Sequence, residues 1–282
     1  MSLALTKIKS RIKSVSSAYK VTNAMKLVST VKLSKWKNKM NESLIYTEKL
    51  KEISDIVFLN AKKNELNLFT KNNNVDKNLY IAVTSSLGLC GSYNVNMFNF
   101  IESKVNEQDD VIILGSKGIS HFSNSHLNLI NDFNDYSSIK DEKIFKRLLN
   151  FSIQSFINGK YKEVHILYTH FKNTITFIPQ DFQLFPFKAD NDKALNENHF
   201  APLFEPSTKE LIEKLVPLVI ENEFYSKLLE AEVSEQASRC NAMDNATNNA
   251  EELLNELNID FNKARQTAIT QEIIEIVAAS KN

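Results

Sequence analysis

Two glycines and a cysteine after an apolar run are the first residues whose types and spacing suggest chemistry. Gly88, Cys90 and Gly91 follow the run at residues 79–84, where a strand-to-helix turn can hold an anion on its backbone N–H groups. The chain contains neither G-x-x-x-x-G-K-S/T nor G-x-G-x-x-G. The anion-site interpretation is therefore weak, and glycines that only shape the turn are favoured.

Other candidate chemistry has little support. Cys90 has no ordered His/Asp partner in the sequence, which favours a buried or interface thiol over a nucleophile. The second cysteine, Cys240, is far away, and neither has a zinc-ligand spacing. The five histidines lack metal-ligand spacing on a helix face; they are His121, His126, His165, His170 and His199. We expect no catalytic residue, no metal and no cofactor.

Charge is unevenly distributed along a chain whose formal net charge is zero. The first forty residues hold ten Lys/Arg and no Asp or Glu, whereas residues 209–282 hold fourteen acids against seven bases. A basic arm can bind nucleic acid, but sparse arginine and a sustained apolar seam favour a helix that pairs with the acidic segment. We therefore expect no nucleic-acid partner. No apolar run approaches the ~20 residues that span a bilayer.

The two ends of the chain have the patterns of long helices. Residues 5–60 contain no Gly or Pro, and apolar residues recur with helical spacing. Residues 209–279 contain one proline, Pro217, where we expect a kink or a delayed helix start. A heptad seam follows at Ala250, Leu254, Leu257, Phe261, Ala264 and Ala268. At 1.5 Å per residue the helices would reach ~80 Å and ~95 Å.

The middle of the chain has the pattern of an α/β domain. Apolar runs at 79–84, 111–114 and 164–168 predict parallel strands, 145–157 a helix, and 174–178 an antiparallel edge strand. Residues 62–78 and 188–208 have the composition of linkers. The predicted fold is α/β: a long antiparallel two-helix coiled coil formed by both termini, with a central Rossmann-like domain. The predicted segments are 1–61, 62–208 and 209–282.

Several motifs resemble those of one family, the gamma subunit of F-type ATP synthases. The resemblance covers both ends and most of the middle of the chain, and its C-terminal motifs are the most specific. The matching stretches are 8–12, 20–28, 83–91 with Asn94, 168–173, 234–239, 242–250 and 262–272.

The resemblance implies a non-catalytic central-stalk rotor that turns inside a ring of alpha and beta subunits. It further implies an epsilon-like small stalk subunit and a membrane ring as partners, on the cytoplasmic side of the cell membrane. Subunit-interface positions carried over from the family motifs are Met25, Cys90, Arg239, Arg265, Gln266, Thr270 and Glu272. Residues Ile273, Ile276 and Val277 would form an apolar bearing at the tip.

One departure from the family pattern keeps an alternative open. Ser86 and Leu87 stand where the family usually carries an Asp-Arg pair before the central glycine. The lost charges favour a second possibility, a gamma-like rotor of an ATPase that is not coupled to proton transport. Outside the family, the alternatives are a coiled-coil adaptor without a motor and an independent enzyme.

Overall fold

The computed structural model describes residues 3–60, 69–70, 73–136, 141–187, 204–205 and 207–280. The described helices are α1 (Leu3–Leu59), α2 (Tyr93–Lys104), α3 (Ser116–Phe122), α4 (Glu142–Ile157) and α5 (Thr208–Ala279). The strands are β1 (Leu79–Val83), β2 (Asp110–Leu114), β3 (Asn128–Leu129), β4 (Val164–Phe171) and β5 (Phe177–Phe185). This confirms the predicted α/β fold with a long helix at each end.

The five strands form one sheet in the order β3-β2-β1-β4-β5. β1 pairs in parallel with both β2 and β4, and β5 runs antiparallel to β4. The chain continues from β1 towards β2 on one side and later returns to β4 on the other. The carboxyl ends of β1 and β4 therefore meet where the strand order reverses, which is the usual ligand crevice of such sheets.

Each face of the sheet is covered by helices, because its central strands are apolar on both sides. On one face, Met97 and Ile101 of α2 and Phe122 of α3 pack against Tyr80 and Ala82 of β1. On the other face, α4 packs with residues of α1 and α5, where Phe145 stacks on Phe224 at 5.4 Å between ring centroids. Burial of an aromatic side chain of this size contributes about 1.5–3 kcal/mol.

The helix ends are defined by local hydrogen bonds. After α1, the side-chain amide of Asn60 donates to the Ile56 carbonyl at 2.8 Å. Before α4, the Asp141 carboxylate accepts from the Ile144 backbone N–H at 3.3 Å, as an N-cap does. Pro217 lies inside α5, so the predicted delayed helix start is wrong. Because Pro217 is the tenth residue of α5 and has no N–H, the helix lacks the backbone hydrogen bond from that position to the Glu213 carbonyl.

The edge strand lies further along the chain than predicted. β5 covers Phe177–Phe185, whereas residues 174–176 belong to the turn that joins it to β4. Asn173 explains the difference, because its side-chain oxygen accepts from the N–H groups of Ile175 and Thr176 at 2.9 and 2.6 Å. Such a bond favours a turn over a strand. Most of the predicted linker at 188–208 lies outside the described residues.

The chain divides into two compact units, residues 1–31 with 239–282 and residues 32–238. In the second unit, the Asn222 side chain donates to the Thr47 hydroxyl at 2.7 Å and joins α5 to α1. In the first unit, the predicted heptad residues of α5 are buried or half-buried, while most of the residues between them are exposed. The predicted segments 1–61, 62–208 and 209–282 divide the chain differently from these two units, and that division stays a prediction.

Candidate subunit interface

The turn between β1 and α2 is closed by hydrogen bonds among its own side chains. Asn94 accepts from the Ser85 backbone N–H at 3.1 Å, and its amide donates to the Ser85 hydroxyl at 2.6 Å. The same amide lies 3.4 Å from the Cys90 sulfur. Cys90 is 3% exposed, in agreement with the buried thiol that the sequence favoured. Gly91 has φ of 57°, a left-handed conformation that explains its role in shaping the turn.

The same turn presents two apolar side chains to solvent. Leu87 is 63% exposed and Leu89 is 61% exposed. Leu89 has φ of 61°, which is uncommon for a residue with a side chain. Two exposed leucines on one constrained turn are a candidate contact surface for another subunit.

Helix α5 lies across the carboxyl ends of the central strands. The Ser238 hydroxyl donates to the Cys90 carbonyl at 2.6 Å, and the Ser234 hydroxyl donates to the Thr169 carbonyl at 3.0 Å. The Tyr93 hydroxyl donates back to the Ala231 carbonyl at 3.4 Å. Burial raises the pKa of Tyr93 far above its usual value, so the phenol stays a neutral donor. The position where an open α/β sheet holds a ligand is therefore occupied by the chain's own helix.

The two helices of the first unit are joined by polar contacts. Lys26 and Asp244 form an ion pair at 2.5 Å, and the hydroxyl oxygens of Thr22 and Thr247 lie 3.0 Å apart. The hydrogen bond and the charge of Asp244 raise the pKa of the half-buried Lys26. The partners advance along α1 as they recede along α5, so the helices are antiparallel, as predicted. This ion pair joins the basic helix to the acidic one.

The predicted interface residues of this helix pair differ in exposure. Met25 is half-buried and Arg239 is 5% exposed. Near them, the Thr30 hydroxyl lies 3.3 Å from the Cys240 sulfur.

Further along α5, the polar residues predicted to contact the ring are exposed. They are Arg265, Gln266, Thr270 and Glu272. Gln266 and Thr270 line a shallow groove on the helix surface. The last turns of α5 are also exposed, and they carry Ile273, Ile274, Ile276 and Val277 at 50–69% exposure. Four large apolar side chains in five residues form a surface that is suited to burial against a partner.

Two absences among the described residues concern membrane spans and metal sites. Among the described helices, none is long and apolar enough to cross a membrane. In the same part of the chain, no group of three His, Cys, Asp or Glu side chains is arranged to hold a metal ion. His165 instead lies between two carboxylates, with Asp181 2.7 Å from Nδ1 and Glu163 3.0 Å from Nε2.

Comparison with known proteins identifies the family. A family model described as ATP synthase matches residues 4–281. The ATP synthase gamma chain of Clostridium kluyveri is 37% identical over 280 residues, which are 98% of this chain and 97% of that protein. This chain belongs to the ATP synthase gamma chain family. The gamma chain of Mesoplasma florum is 33% identical over 282 residues, 98% of this chain and 97% of that one.

Solved structures agree with the gamma-chain fold. The chain is similar to the rotor of the Euglena gracilis mitochondrial ATP synthase, with a TM-score of 0.61 at 18% identity over 94% of this chain and 99% of that one. It is also similar to a chain in the central stalk and c-ring of the Tetrahymena thermophila mitochondrial ATP synthase, with a TM-score of 0.54 at 24% identity. That match covers 80% of this chain and 99% of the other. The predicted family and central-stalk rotor function are confirmed.

The sequence did not predict the hydrogen bonds that hold α5 to the sheet in this gamma chain. Ser234 and Ser238 both lie within the family motif at 234–239, and serines four residues apart lie on one helix face. Their partners are backbone carbonyls, which every residue has, so the residue types do not identify the acceptors. The carboxylate pair around His165 was also not predicted, because Glu163 precedes β4 whereas Asp181 lies on β5.

Proposed function

We propose that this gamma chain is a non-catalytic subunit that turns within a ring of alpha and beta subunits. The ring would hold the nucleotide sites, and the chain would couple their states by presenting a different face to each. A ligand-induced change requires different contacts in the different states. An asymmetric pair of helices supplies such contacts.

The proposal that the chain is non-catalytic rests on the position of α5, which occupies the crevice at the carboxyl edge of the sheet. Ser234 and Ser238 of α5 bond to the carbonyls of Thr169 and Cys90 at the carboxyl edge. A nucleotide in the customary position of an α/β sheet would have to displace this helix. The chain also lacks a phosphate loop.

The proposed ring contacts lie on α5 and the start of α1. Exposed Arg265, Gln266, Thr270 and Glu272 would donate or accept hydrogen bonds, and the apolar side chains beyond them would enter a bearing. Met25 would also contact the ring, and Arg239, which is 5% exposed, would have to turn its side chain outward to do so. Since the Cys90 thiol is buried, Leu87 and Leu89 would make the contact on its turn.

Further partners are proposed for the globular domain. An epsilon-like small stalk subunit and a membrane ring would bind it, which would make the chain a peripheral protein on the cytoplasmic side of the cell membrane. We propose no nucleic-acid partner, since Lys26 of the basic helix pairs with Asp244 of the acidic one.

A second candidate, a rotor that is not coupled to proton transport, is favoured by one observation. Ser86 and Leu87 replace the charged pair usual in the family, and Leu87 is exposed. Inhibitors of the membrane ring distinguish the candidates in native membranes. Inhibition of ATP hydrolysis would support coupling to a ring, and insensitivity would support the uncoupled rotor.

The main experiment is co-purification of the tagged native chain followed by mass spectrometry and ATPase assays. We expect stoichiometric alpha and beta subunits and ATPase activity in the complex, with neither nucleotide binding nor turnover by the isolated chain. Turnover by a contaminant-free preparation of the chain alone would refute the non-catalytic assignment.

A further inference from the structure

Two buried serines of α5 use their hydroxyls differently from most helical serines and threonines of this chain. A hydroxyl inside a helix commonly donates to the carbonyl four residues earlier. Ser54 in α1 and Thr247 in α5 do so, at 2.6 and 2.7 Å. Ser234 and Ser238 instead donate out of their helix, to the Thr169 and Cys90 carbonyls. Their hydroxyls therefore connect α5 to the sheet.

An ionic contact lies one turn earlier on α5. Glu230 is 7% exposed and accepts from His170 Nδ1 at 2.5 Å. Its other carboxylate oxygen lies 3.2 Å from the ammonium group of Lys227. That ammonium is 5.4 Å from the centre of the Tyr168 ring and 5.0 Å from that of Phe182. Groups of α5 at 227, 230, 234 and 238 thus all contact β4, β5 or the β1–α2 turn.

The contacts have a mechanical consequence. The hydrophobic effect is non-directional, whereas hydrogen bonds require defined distances and angles. The apolar residues beside this contact, including Val233 and Ala237, are fully buried, and the hydrogen bonds add a directional constraint to their packing. Bonds from one helix to two separate backbone segments fix both the rotation and the position of that helix.

We propose that these bonds form the joint that transmits turning force between α5 and the globular domain. The joint consists of Glu230, Ser234 and Ser238 of α5 with Cys90, Thr169 and His170 of the sheet edge. This inference rests on the proposed rotor function. The ring would turn α5, whereas anything attached to the globular domain would resist it. The joint connects α5 to the globular domain, and it keeps α5 at a fixed position on the sheet when force is applied.

The test uses the complete complex containing the Ser234→Ala and Ser238→Ala double variant. Ser54→Ala is the matched control, because it removes an equally buried hydroxyl that bonds only within its own helix. With a bead on the globular domain, we expect wild-type rotation at low viscous drag but stalling of the double variant at a lower drag. In hydrogen exchange on the complex, amides of residues 228–240 and of the β1–α2 turn should exchange roughly thirtyfold faster in the double variant, as expected for two lost hydrogen bonds. The control should match the wild type in both measurements.

A second variant guards against misfolding. Ser234→Ala alone keeps the Ser238 hydroxyl bond, so it should stall at a drag between those of the double variant and the wild type. The joint is overturned if the double variant stalls at the wild-type drag, or if its exchange rates are unchanged. A wild-type complex that does not rotate would instead overturn the proposed rotor function and, with it, the turning force.

Discussion

Replacing Thr270 and Glu272 with alanine should weaken the contact of the chain with the ring without changing the stability of the isolated chain. Both side chains are exposed on α5. Substitutions at such positions change the free energy of unfolding by about 0.5 kcal/mol or less. If the ring covers these groups, each lost hydrogen bond costs about 1–3 kcal/mol in the complex. Allosteric couplings have the same size, about 1–3 kcal/mol, which corresponds to roughly five- to 150-fold.

The double variant should therefore assemble and lower the ATPase rate of the complex at least about fivefold. Helix content and the melting temperature of the isolated chain should stay as in the wild type. Glu252→Ala is the control, since Glu252 is an exposed glutamate of the same helix outside the proposed contact. A double variant that assembles and turns over at the wild-type rate would show that these residues form only a solvated helix face.

Three further predictions concern the stability of the chain. Burial opposes charge on His165, but the hydrogen bonds and charges of Asp181 and Glu163 outweigh it and raise its pKa. Protonated His165 should therefore contribute its full share to the free energy of unfolding below pH ~6.5, and this contribution should disappear as the pH rises through the folded-state pKa. In urea unfolding, the His165→Gln variant should lack this pH dependence of the free energy of unfolding. Leu257→Ala should lower the free energy of unfolding by about 2–5 kcal/mol, measured by urea denaturation, whereas exposed Ile259→Ala should change it by less than about 0.5 kcal/mol. Gly118→Ala should cost about 1–3 kcal/mol in thermal melts, because the new Cβ would lie 2.4 Å from the Thr84 hydroxyl oxygen.

The helices and central strands were predictable because their signals are local. The absence of Gly and Pro across 5–60 and the heptad that includes Leu257 specify helices without knowledge of the fold. The runs at 79–84 and 111–114 are apolar enough to be strands buried on both faces. The β4–β5 turn was misplaced, because the hydrogen bonds of one side chain, Asn173, compete with strand pairing there.

The contacts that hold α5 to the sheet were not predictable from the sequence. A serine at 234 or 238 is equally compatible with a bond inside its helix, and only the fold brings the Thr169 carbonyl within reach. The two-residue strand β3 was missed for a similar reason. Asn128 and Leu129 carry no pattern of alternation, and they form a strand because β2 offers a free edge.

The most direct test of the rotor account is to observe the chain turn. The alpha and beta subunits of the purified complex would be fixed to a surface, and a bead attached to the globular domain of this chain would be followed after addition of ATP. The account predicts continuous rotation in one direction, at a rate proportional to ATP hydrolysis at low drag. Sustained ATP hydrolysis by complexes in which the chain stays stationary relative to the ring would contradict it.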